Sequence, residues 1–353
     1  MRTIPSLTAI RGVAALFVVT HHLTEFYRWQ HYQAPVTSVL YMGYMGVDLF
    51  FVLSGFILTR VHLEMPMNLP SLGGFALRRV LRIYPLHWTV LAAMAILGWF
   101  SLIIPRQSLD WQTLPYVAAL IQPYLNLSSG VWNGVSWSAG VELSCYIMFP
   151  LWLAVMRRSP TAFMMLMVAV AAYAAWRAQG LYAGLWTGMP ALIRGWSGFA
   201  LGASIGLLSS RLQFAKWKTI AIELVSAATL VGAILHKFPP LVPLASGGLI
   251  FALQWRHGPI NWLLSQKTLV YLGEISFSIY LIQNLVIDIE NGLWPVQHFP
   301  AITAMFMLRE AIMFAALIGI SSMTYHFIER PCLSIFRKKK LPVLQASTIA
   351  LTA

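Results

Sequence analysis

The sequence predicts an all-α integral membrane protein, a polytopic bundle of about ten transmembrane helices with both termini in the cytoplasm. Of its 353 residues, 58% are hydrophobic and only 10% are charged, and the mean hydropathy is +0.70. A soluble globular domain carries about 25% charged residues, so this composition is typical of a chain that crosses a bilayer repeatedly.

Ten hydrophobic segments follow one another, separated by Pro, Gly, Asn and clusters of basic residues. If the N-terminus is cytoplasmic, the inner loops hold 17 Lys and Arg residues and the outer loops hold 4. Because basic loops stay in the cytoplasm, this asymmetry predicts an even number of spans with both ends inside. The predicted spans are 5–27, 38–60, 80–104, 135–156, 161–179, 186–208, 219–236, 240–256, 268–291 and 302–328.

The chain is expected to form one transmembrane domain over residues 1–340, followed by a disordered cytoplasmic tail over residues 341–353. The first segment lacks a small-residue cleavage site after a short apolar run, which indicates an uncleaved span. The net charge of +13 lies between the spans, so it indicates topology and not nucleic-acid binding. Cys145 and Cys332 alone cannot form a zinc site, and we expect neither a metal nor a structural disulfide.

The first span carries two kinds of ionisable side chain inside an apolar helix. Arg11 and His22 are eleven residues apart. At 100° per residue they leave the helix on nearly the same face, roughly 16 Å apart along its axis. Ionisable groups are costly in a bilayer and normally face a bundle interior or a wet cavity, so this pair predicts a functional site.

His22 is the candidate general base on this face. His21 is the alternative, because the two histidines point about 100° apart. A histidine pair at the outer interface that is solvated by water is the other interpretation. Alignment with Arg11 in a spanning helix favours the functional role.

Span 4 places a carboxylate, Glu142, about one to two turns below its predicted outer end. His22 lies toward the outer end of span 1, so the two side chains are expected at a comparable depth. Glu142 would then orient the imidazole and increase its basicity, as general-base catalysis requires. The alternative is that Glu142 pairs with an arginine for structural reasons, and the residues alone favour neither interpretation.

The inner end of span 3 carries Arg78, Arg79 and Arg82, spaced to cluster on one side of a helix. Guanidinium groups bind phosphate well, so this edge would suit a phosphorylated ligand from the cytoplasm. Anchoring at the inner membrane surface explains the same charges, and on charge alone it is the commoner case.

Further ionisable residues lie in or beside other spans. Asp48 in span 2 requires neutralisation, and Arg194 in span 6 is one possible partner among the buried arginines. Glu329 and Arg330 are expected to cap and anchor the inner end of span 10.

Six motifs together resemble those of the acyltransferase 3 family of integral membrane acyltransferases, and they run through most of the chain. Each is weak alone, but six in the right order are highly specific. They are the Arg-(ten residues)-His spacing within 7–22, GVDLFFVLSGF at 46–56, RRVLRIYP at 78–85, WSAGVE at 137–142, SFSIYL at 276–281 and IERP at 328–331.

The resemblance implies transfer of an acyl group, most often acetyl, from cytoplasmic acyl-CoA to a hydroxyl of a carbohydrate. It implies that His22 is catalytic, with Arg11 as its essential companion and Glu142 in the same site. The arginines matching Arg79 and Arg82 are associated with the acyl donor, and we include Arg78 with them. The residues expected to support the site are Asp48, Trp137, Ser138, Arg194 and Tyr280.

The resemblance also sets expectations about acceptor and location. The acceptor would be a carbohydrate or a lipid-linked glycan, such as an exopolysaccharide, an O-antigen, peptidoglycan or a lipochitooligosaccharide. The location would be the bacterial cytoplasmic (inner) membrane. Many members carry histidine where this chain has Gln283 or Asn284, so no chemistry is predicted there. Many members also carry a C-terminal extracytoplasmic esterase-like domain, whereas this chain is expected to be of the stand-alone type. It would then transfer the group directly or pass it to a separate extracytoplasmic transferase.

Two alternatives stay open on the sequence. A transporter or flippase could use Asp48, Arg194 and His22 as a relay, although no inverted repeat is evident. An acyltransferase that modifies a small secondary metabolite, such as a macrolide sugar, would use the same catalytic residues on another acceptor.

Overall fold

The computed structural model describes residues 4–26, 35–101, 109–125, 127, 131–163, 165, 188–209, 212, 214–295 and 304–338. Within these ranges the chain is almost entirely helical and contains no β-sheet. The helices are α1 (Pro5–Phe26), α2 (Pro35–Tyr41), α3 (Gly46–His62), α4 (Leu69–Trp99), α5 (Leu114–Ala118), α6 (Ser136–Arg158), α7 (Gly188–Ser209), α8 (Lys216–Leu235), α9 (Leu241–Leu253), α10 (Pro259–Leu264), α11 (Lys267–Glu274), α12 (Ser276–Leu293), α13 (Ala304–Thr324) and α14 (Arg330–Lys338).

The predicted all-α membrane bundle is confirmed. Among the described residues, 7 helices are long and apolar enough to cross a bilayer, or 8 if the bent pair α11–α12 counts as one span. The predicted span 240–256 is a helix of only 13 residues, α9. The predicted span 161–179 falls almost entirely outside the described residues, as does the tail 341–353. The cytoplasmic placement of both termini stays a prediction from the loop charges.

The predicted span 268–291 contains a break, which separates α11 from α12. The two helices meet at an angle of 66°. Ile275 at the break has φ −88° and ψ 4°, outside the helical range. Just before it, Gly273 packs so closely on α1 that a β-carbon would overlap the Thr8 carbonyl. Contact with α1 therefore fixes α11, and α12 starts afresh inside the bundle.

Among the described residues, helices α3 and α7 form the most extensive helix–helix contact. A β-carbon on Gly55 would overlap the Phe199 carbonyl, and one on Gly202 would overlap the Val52 carbonyl. Small residues at such an interface allow two backbones to touch, which is how helices gain packing energy in lipid. This contact fixes α3, which supplies one wall of the site described below.

The beginning of α6 lies inside the protein and not at its surface. Trp132, Asn133 and Ser136, around the first turn, are all fully buried. The Asn133 side chain donates to the Leu281 carbonyl of α12 over 2.8 Å, and Gln122 donates to the Ser136 hydroxyl over 3.0 Å. The first turn of this helix is therefore held within the bundle, through α12 on one side and Gln122 on the other.

Candidate active site

A cavity of about 130 Å³ lies between α1, α3, α4, α6 and α12. Three guanidinium groups line it, those of Arg11, Arg79 and Arg82, together with the carboxylate of Glu142. The fold thus brings the arginines of the first and third predicted spans together with the acid of the fourth.

Arg82 is held by a partner far away in the chain. Its guanidinium forms an ion pair with Glu329, whose side chain is 1% exposed. The Ser278 hydroxyl donates to the other oxygen of the same carboxylate over 3.3 Å. The Arg82 guanidinium also lies 5.0 Å from the ring centre of Phe277. Glu329 was expected to cap the end of its helix. It instead pairs with Arg82, which lines the cavity.

Arg79 and Arg78 differ in their surroundings. The Arg79 guanidinium lies 5.5 Å from the ring centre of Phe75 and 5.3 Å from that of Tyr146. Arg79 lines the cavity, whereas Arg78 does not. The structure thus separates these neighbouring arginines, which the sequence had grouped together.

Glu142 does not contact His22 as expected. One of its carboxylate oxygens accepts hydrogen bonds from the Ser54 hydroxyl over 2.6 Å and from the Tyr146 hydroxyl over 2.5 Å. It lines the same cavity as Arg11, which is roughly 16 Å from His22 along α1. The expectation from span ends failed because α6 packs with Glu142 facing the cavity beside Arg11, at the opposite end of the α1 face from His22.

Two buried polar groups at the cavity have no hydrogen-bond partner among the described residues. They are the Nε of Arg79 and the hydroxyl of Ser276. Ser276 is the first residue of α12, where free backbone N–H groups give the helix end a partial positive charge. Buried polar groups are normally satisfied, so these donors indicate a place for an anionic or strongly polar ligand.

His22 is partly buried at the other end of the α1 face, and its ring is held by two acceptors. Its Nδ1 lies 3.0 Å from the Val18 carbonyl and 3.2 Å from Oε1 of Gln283. The Gln283 amide nitrogen donates to the Tyr280 carbonyl over 2.8 Å, which fixes the orientation of that amide. Because both neighbours of Nδ1 accept hydrogen bonds, the neutral ring carries its proton on Nδ1 and its lone pair on Nε2.

The structure separates the two histidines that the sequence left as alternatives. The Nδ1 of His21 lies 2.7 Å from the Tyr41 carbonyl, and its side chain is buried against α2 and the segment that follows. His22 instead faces α12. Only His22, of the two, therefore lies on the helix surface that also carries Arg11.

A polar stripe on α12 runs between the two ends of the site. It consists of Ser276, Tyr280 and Gln283, which are spaced four and three residues apart and so lie on one helix face. Ser276 and Tyr280 line the cavity, and Gln283 contacts His22. Because α12 packs against α1, this helix face lies beside both Arg11 and His22, although neither His22 nor Gln283 lines the cavity itself.

Tyr280 and Ser138 close the outer end of the cavity. Their hydroxyls are 2.7 Å apart, and the Tyr280 hydroxyl donates to the Val135 carbonyl over 3.1 Å. The ring of Phe50 lies 5.8 Å from the Tyr280 ring. Both predicted supporting residues are thus part of the cavity wall.

Asp48 and Arg194 form a bidentate ion pair away from the cavity wall. The guanidinium donates to both carboxylate oxygens over 2.8 Å, and both side chains are nearly inaccessible to solvent. Trp137 packs against the pair, with its ring centre 5.7 Å from the guanidinium. Asp48, Arg194 and Trp137 therefore hold α3, α7 and α6 together. They support the site through these helices and do not line the cavity.

Several residues of the site were not identified from the sequence. Tyr146 lies one helical turn after Glu142, and this i, i+4 spacing was a usable signal. The sequence predicts no role for Gln283, because this position departs from the histidine that many family members carry. A side-chain carbonyl can nevertheless accept a hydrogen bond from an imidazole N–H. The pairing of Glu329 with Arg82 spans 247 residues and had no local signal.

Comparisons with known proteins agree with this arrangement. The sequence matches a family described as "Acyltransferase domain" over residues 4–326. Acyltransferase MdmB of Streptomyces mycarofaciens is 26% identical over 97% of the chain and 95% of its own length. A protein of Staphylococcus aureus (strain COL) named as an O-acetyltransferase is 23% identical over 98% of the chain.

The chain spans 59% of the length of that staphylococcal relative. No solved structure matches the fold. The family and the names of the relatives favour the enzyme over the transporter alternative. The chain belongs to the acyltransferase 3 family, and it is a membrane O-acyltransferase with several spans.

Proposed function

We propose that this enzyme moves an acyl group, most often acetyl, from cytoplasmic acyl-CoA to a hydroxyl of a cell-envelope or exported carbohydrate. The observation that carries the proposal is the arginine cavity, whose buried donors Arg79 Nε and Ser276 Oγ have no partner among the described residues. Acyl-CoA carries its phosphates at one end of a long flexible arm and its thioester at the other. The phosphates would suit the cationic cavity, and the arm would allow the thioester to reach a distant base.

The charges at the cavity favour an anionic donor. Three guanidinium groups face it, and among the described residues one carboxylate, Glu142, lines it, while Glu329 pairs with Arg82. Arginine binds phosphate oxygens bidentately, and the amino-terminal end of α12 adds a partial positive charge. Arg82 is already paired with Glu329, so Arg79 is the arginine best placed to contact the donor directly.

His22 serves as the general base in this proposal. The acceptor hydroxyl attacks the thioester carbonyl carbon, so a C–O bond forms and the C–S bond breaks. Nε2 of His22 takes the hydroxyl proton and returns it to the departing sulfur, which leaves as the thiol. Gln283 and Val18 keep the Nδ1 proton in place, and thereby perform the orienting task that the sequence assigned to Glu142.

In this proposal Arg11 belongs to the donor end, which the distance along α1 supports. Roughly 16 Å separate it from His22, and an oxyanion-stabilising donor must lie about 3 Å from the developing charge. Arg11 faces the cavity with Arg79 and Arg82 instead. For the reaction, the contact between Tyr280 and Ser138 that closes the cavity must open, so that the donor arm can follow the α12 stripe to His22.

Acetyl as the transferred group is supported by the name of the staphylococcal relative. A carbohydrate acceptor and the bacterial inner membrane follow from the resemblance described above. A separate extracytoplasmic transferase would be required only if the acyl group leaves this protein on a carrier. The small-metabolite alternative shares every step up to the choice of acceptor.

Neighbouring arginines provide a matched test of the donor site. Purified enzyme in lipid nanodiscs would be assayed for transfer of labelled acetyl from acetyl-CoA to envelope glycans and to a macrolide. Arg79→Ala should raise the KM for acetyl-CoA on the order of tenfold, because a charged hydrogen bond contributes about 1.5–3 kcal/mol. Arg78→Ala, outside the cavity, should leave that KM within about twofold.

Equal donor KM values for these two variants would contradict the proposed phosphate contact. The acceptor is decided by mass spectrometry of surface glycans from cells with and without the protein. Loss of acetyl from a glycan supports the proposal, and transfer to the macrolide alone would support the alternative.

A further inference from the structure

The C-terminal end of α1 carries a cluster of side chains that can bind a metal ion, namely His21, His22 and Glu25. One donor atom of each lies within 4.8 Å of the donor atoms of the other two. Within the ranges that the structure describes, this is the one group of three His, Cys, Asp or Glu residues with such spacing. We propose that these three residues bind a Zn²⁺ ion and that this ion inhibits the enzyme. The inhibition rests on the proposed role of His22, whereas binding of the ion does not.

Hydrogen bonds prepare both imidazoles to bind a metal through the same nitrogen. Nδ1 of His21 lies 2.7 Å from the Tyr41 carbonyl, and Nδ1 of His22 lies 3.0 Å from the Val18 carbonyl. A carbonyl oxygen only accepts, so each Nδ1 carries a proton, and in the neutral ring each Nε2 carries a lone pair. Histidines that bind metals in proteins almost always donate their other N–H to a carbonyl or carboxylate in this way.

Glu25 supplies the third ligand and one negative charge. It lies four residues after His21 and three after His22, so it shares a helix face with each of them. Its Oε2 is 3.8 Å from Nε2 of His21, and its side chain is 58% exposed. Bonds of about 2.0–2.1 Å in a tetrahedral Zn²⁺ site require donors roughly 3.4 Å apart. Because Glu25 is at the surface, its carboxylate can move by the small distance required.

The number and kind of ligands select the ion. Two imidazoles and one carboxylate are a set that Zn²⁺ uses, and three protein ligands leave a fourth position for water. The two cysteines alone predict no metal site, because they cannot form one by themselves. The adjacent histidines and the glutamate one turn later were the overlooked signal.

Zinc at this site would compete with catalysis. The Nε2 lone pair of His22 is the one that accepts the acceptor hydroxyl proton in the proposed mechanism. A lone pair bound to Zn²⁺ cannot accept a proton. Transfer should therefore fall as Zn²⁺ occupies the cluster and recover when a chelator removes it.

The test measures Zn²⁺ binding to the purified full-length protein by competition with a chromophoric chelator. The expected result is one tightly bound ion per chain. Glu25→Gln should weaken binding on the order of tenfold or more, since loss even of a residue that only supports a ligand costs about 10–100-fold. Glu64→Gln is the matched control, because Glu64 is an exposed glutamate at the end of another span.

His21→Ala provides a second variant, and the exposed Glu25 keeps the test valid if the buried histidine variant does not fold. Zinc binding by Glu25→Gln as tight as by Glu64→Gln would overturn the proposal, as would less than one ion per chain. Acetyl transfer is measured in parallel. Binding of one zinc ion without any loss of transfer would support the metal site and contradict the role of His22 as the base.

Discussion

Replacing Gln283 with leucine removes one of the two acceptors that hold the His22 ring. Gln283 is fully buried, so leucine of similar size fits the space without exposing a new surface. The Oε1 contact to Nδ1 is 3.2 Å long, and the Val18 carbonyl at 3.0 Å remains to accept the same proton. The tautomer of the imidazole should therefore survive, and only its orientation should loosen.

The magnitude of the effect follows from this shared hydrogen bond. One neutral hydrogen bond contributes about 1 kcal/mol, which corresponds to a fall in kcat of roughly fivefold. The KM for acetyl-CoA should stay the same, because the donor binds at the arginine cavity. Loss of the tautomer itself would be far more costly, about 10⁴-fold in a serine protease whose orienting aspartate is replaced.

Steady-state kinetics over a range of pH values provide the assay. The conservative variant Gln283→Glu retains an acceptor at this position and should shift the pH profile of kcat/KM to higher pH, since a carboxylate stabilises a nearby imidazolium. A purely structural role for Gln283 would leave that profile in place. Unchanged kcat in Gln283→Leu, or a change confined to the acetyl-CoA KM, would refute the reasoning.

Two further predictions concern the scaffold. Glu329→Gln leaves the Arg82 guanidinium without its charged partner, so we expect a loss of about 3 kcal/mol and a Tm lower by roughly 5 °C or more in detergent; an unchanged Tm would show that the pair does not stabilise the bundle. Gly202→Ala forces a methyl group against the Val52 backbone and should cost roughly 3 kcal/mol or more. The matched control Gly319→Ala meets no atom and should be neutral or stabilising by up to about 1 kcal/mol, so equal stability of these two variants would contradict the close α3–α7 packing.

Properties that depend on local pattern could be predicted from the sequence. The apolar segments and the helical periodicity placed Arg11 and His22 on one face of α1, and the structure uses that face for both. Composition alone indicated a membrane bundle. These predictions hold because the lipid environment constrains each helix separately, before any helix meets another.

Properties that depend on depth could not be predicted reliably. Glu142 was placed near His22 on the assumption that α6 begins at the membrane surface. In the structure the first turn of α6 is buried and bonded to α12 through Asn133, and α6 packs with Glu142 facing the cavity beside Arg11. Similarly, the break at Ile275 follows from the contact of Gly273 with α1, and no local signal in the sequence marks it.

Ion pairs between residues far apart in the chain could not be predicted from the sequence either. Glu329 was interpreted from its neighbours as an end cap, yet it neutralises Arg82 across the bundle. Asp48 clearly required a partner, but the sequence could not choose among the buried arginines. Only the packing of α3 against α7 identifies Arg194 as that partner.

The central claim is that the donor and the base occupy opposite ends of one polar path, and equilibrium binding of acetyl-CoA to two variants tests it most directly. His22→Ala in nanodiscs should bind acetyl-CoA as tightly as the native enzyme while its transfer rate falls by about 10²–10⁴-fold. Arg79→Ala should bind acetyl-CoA on the order of tenfold more weakly. Loss of acetyl-CoA binding in His22→Ala, or native affinity in Arg79→Ala, would contradict the separation of the two ends.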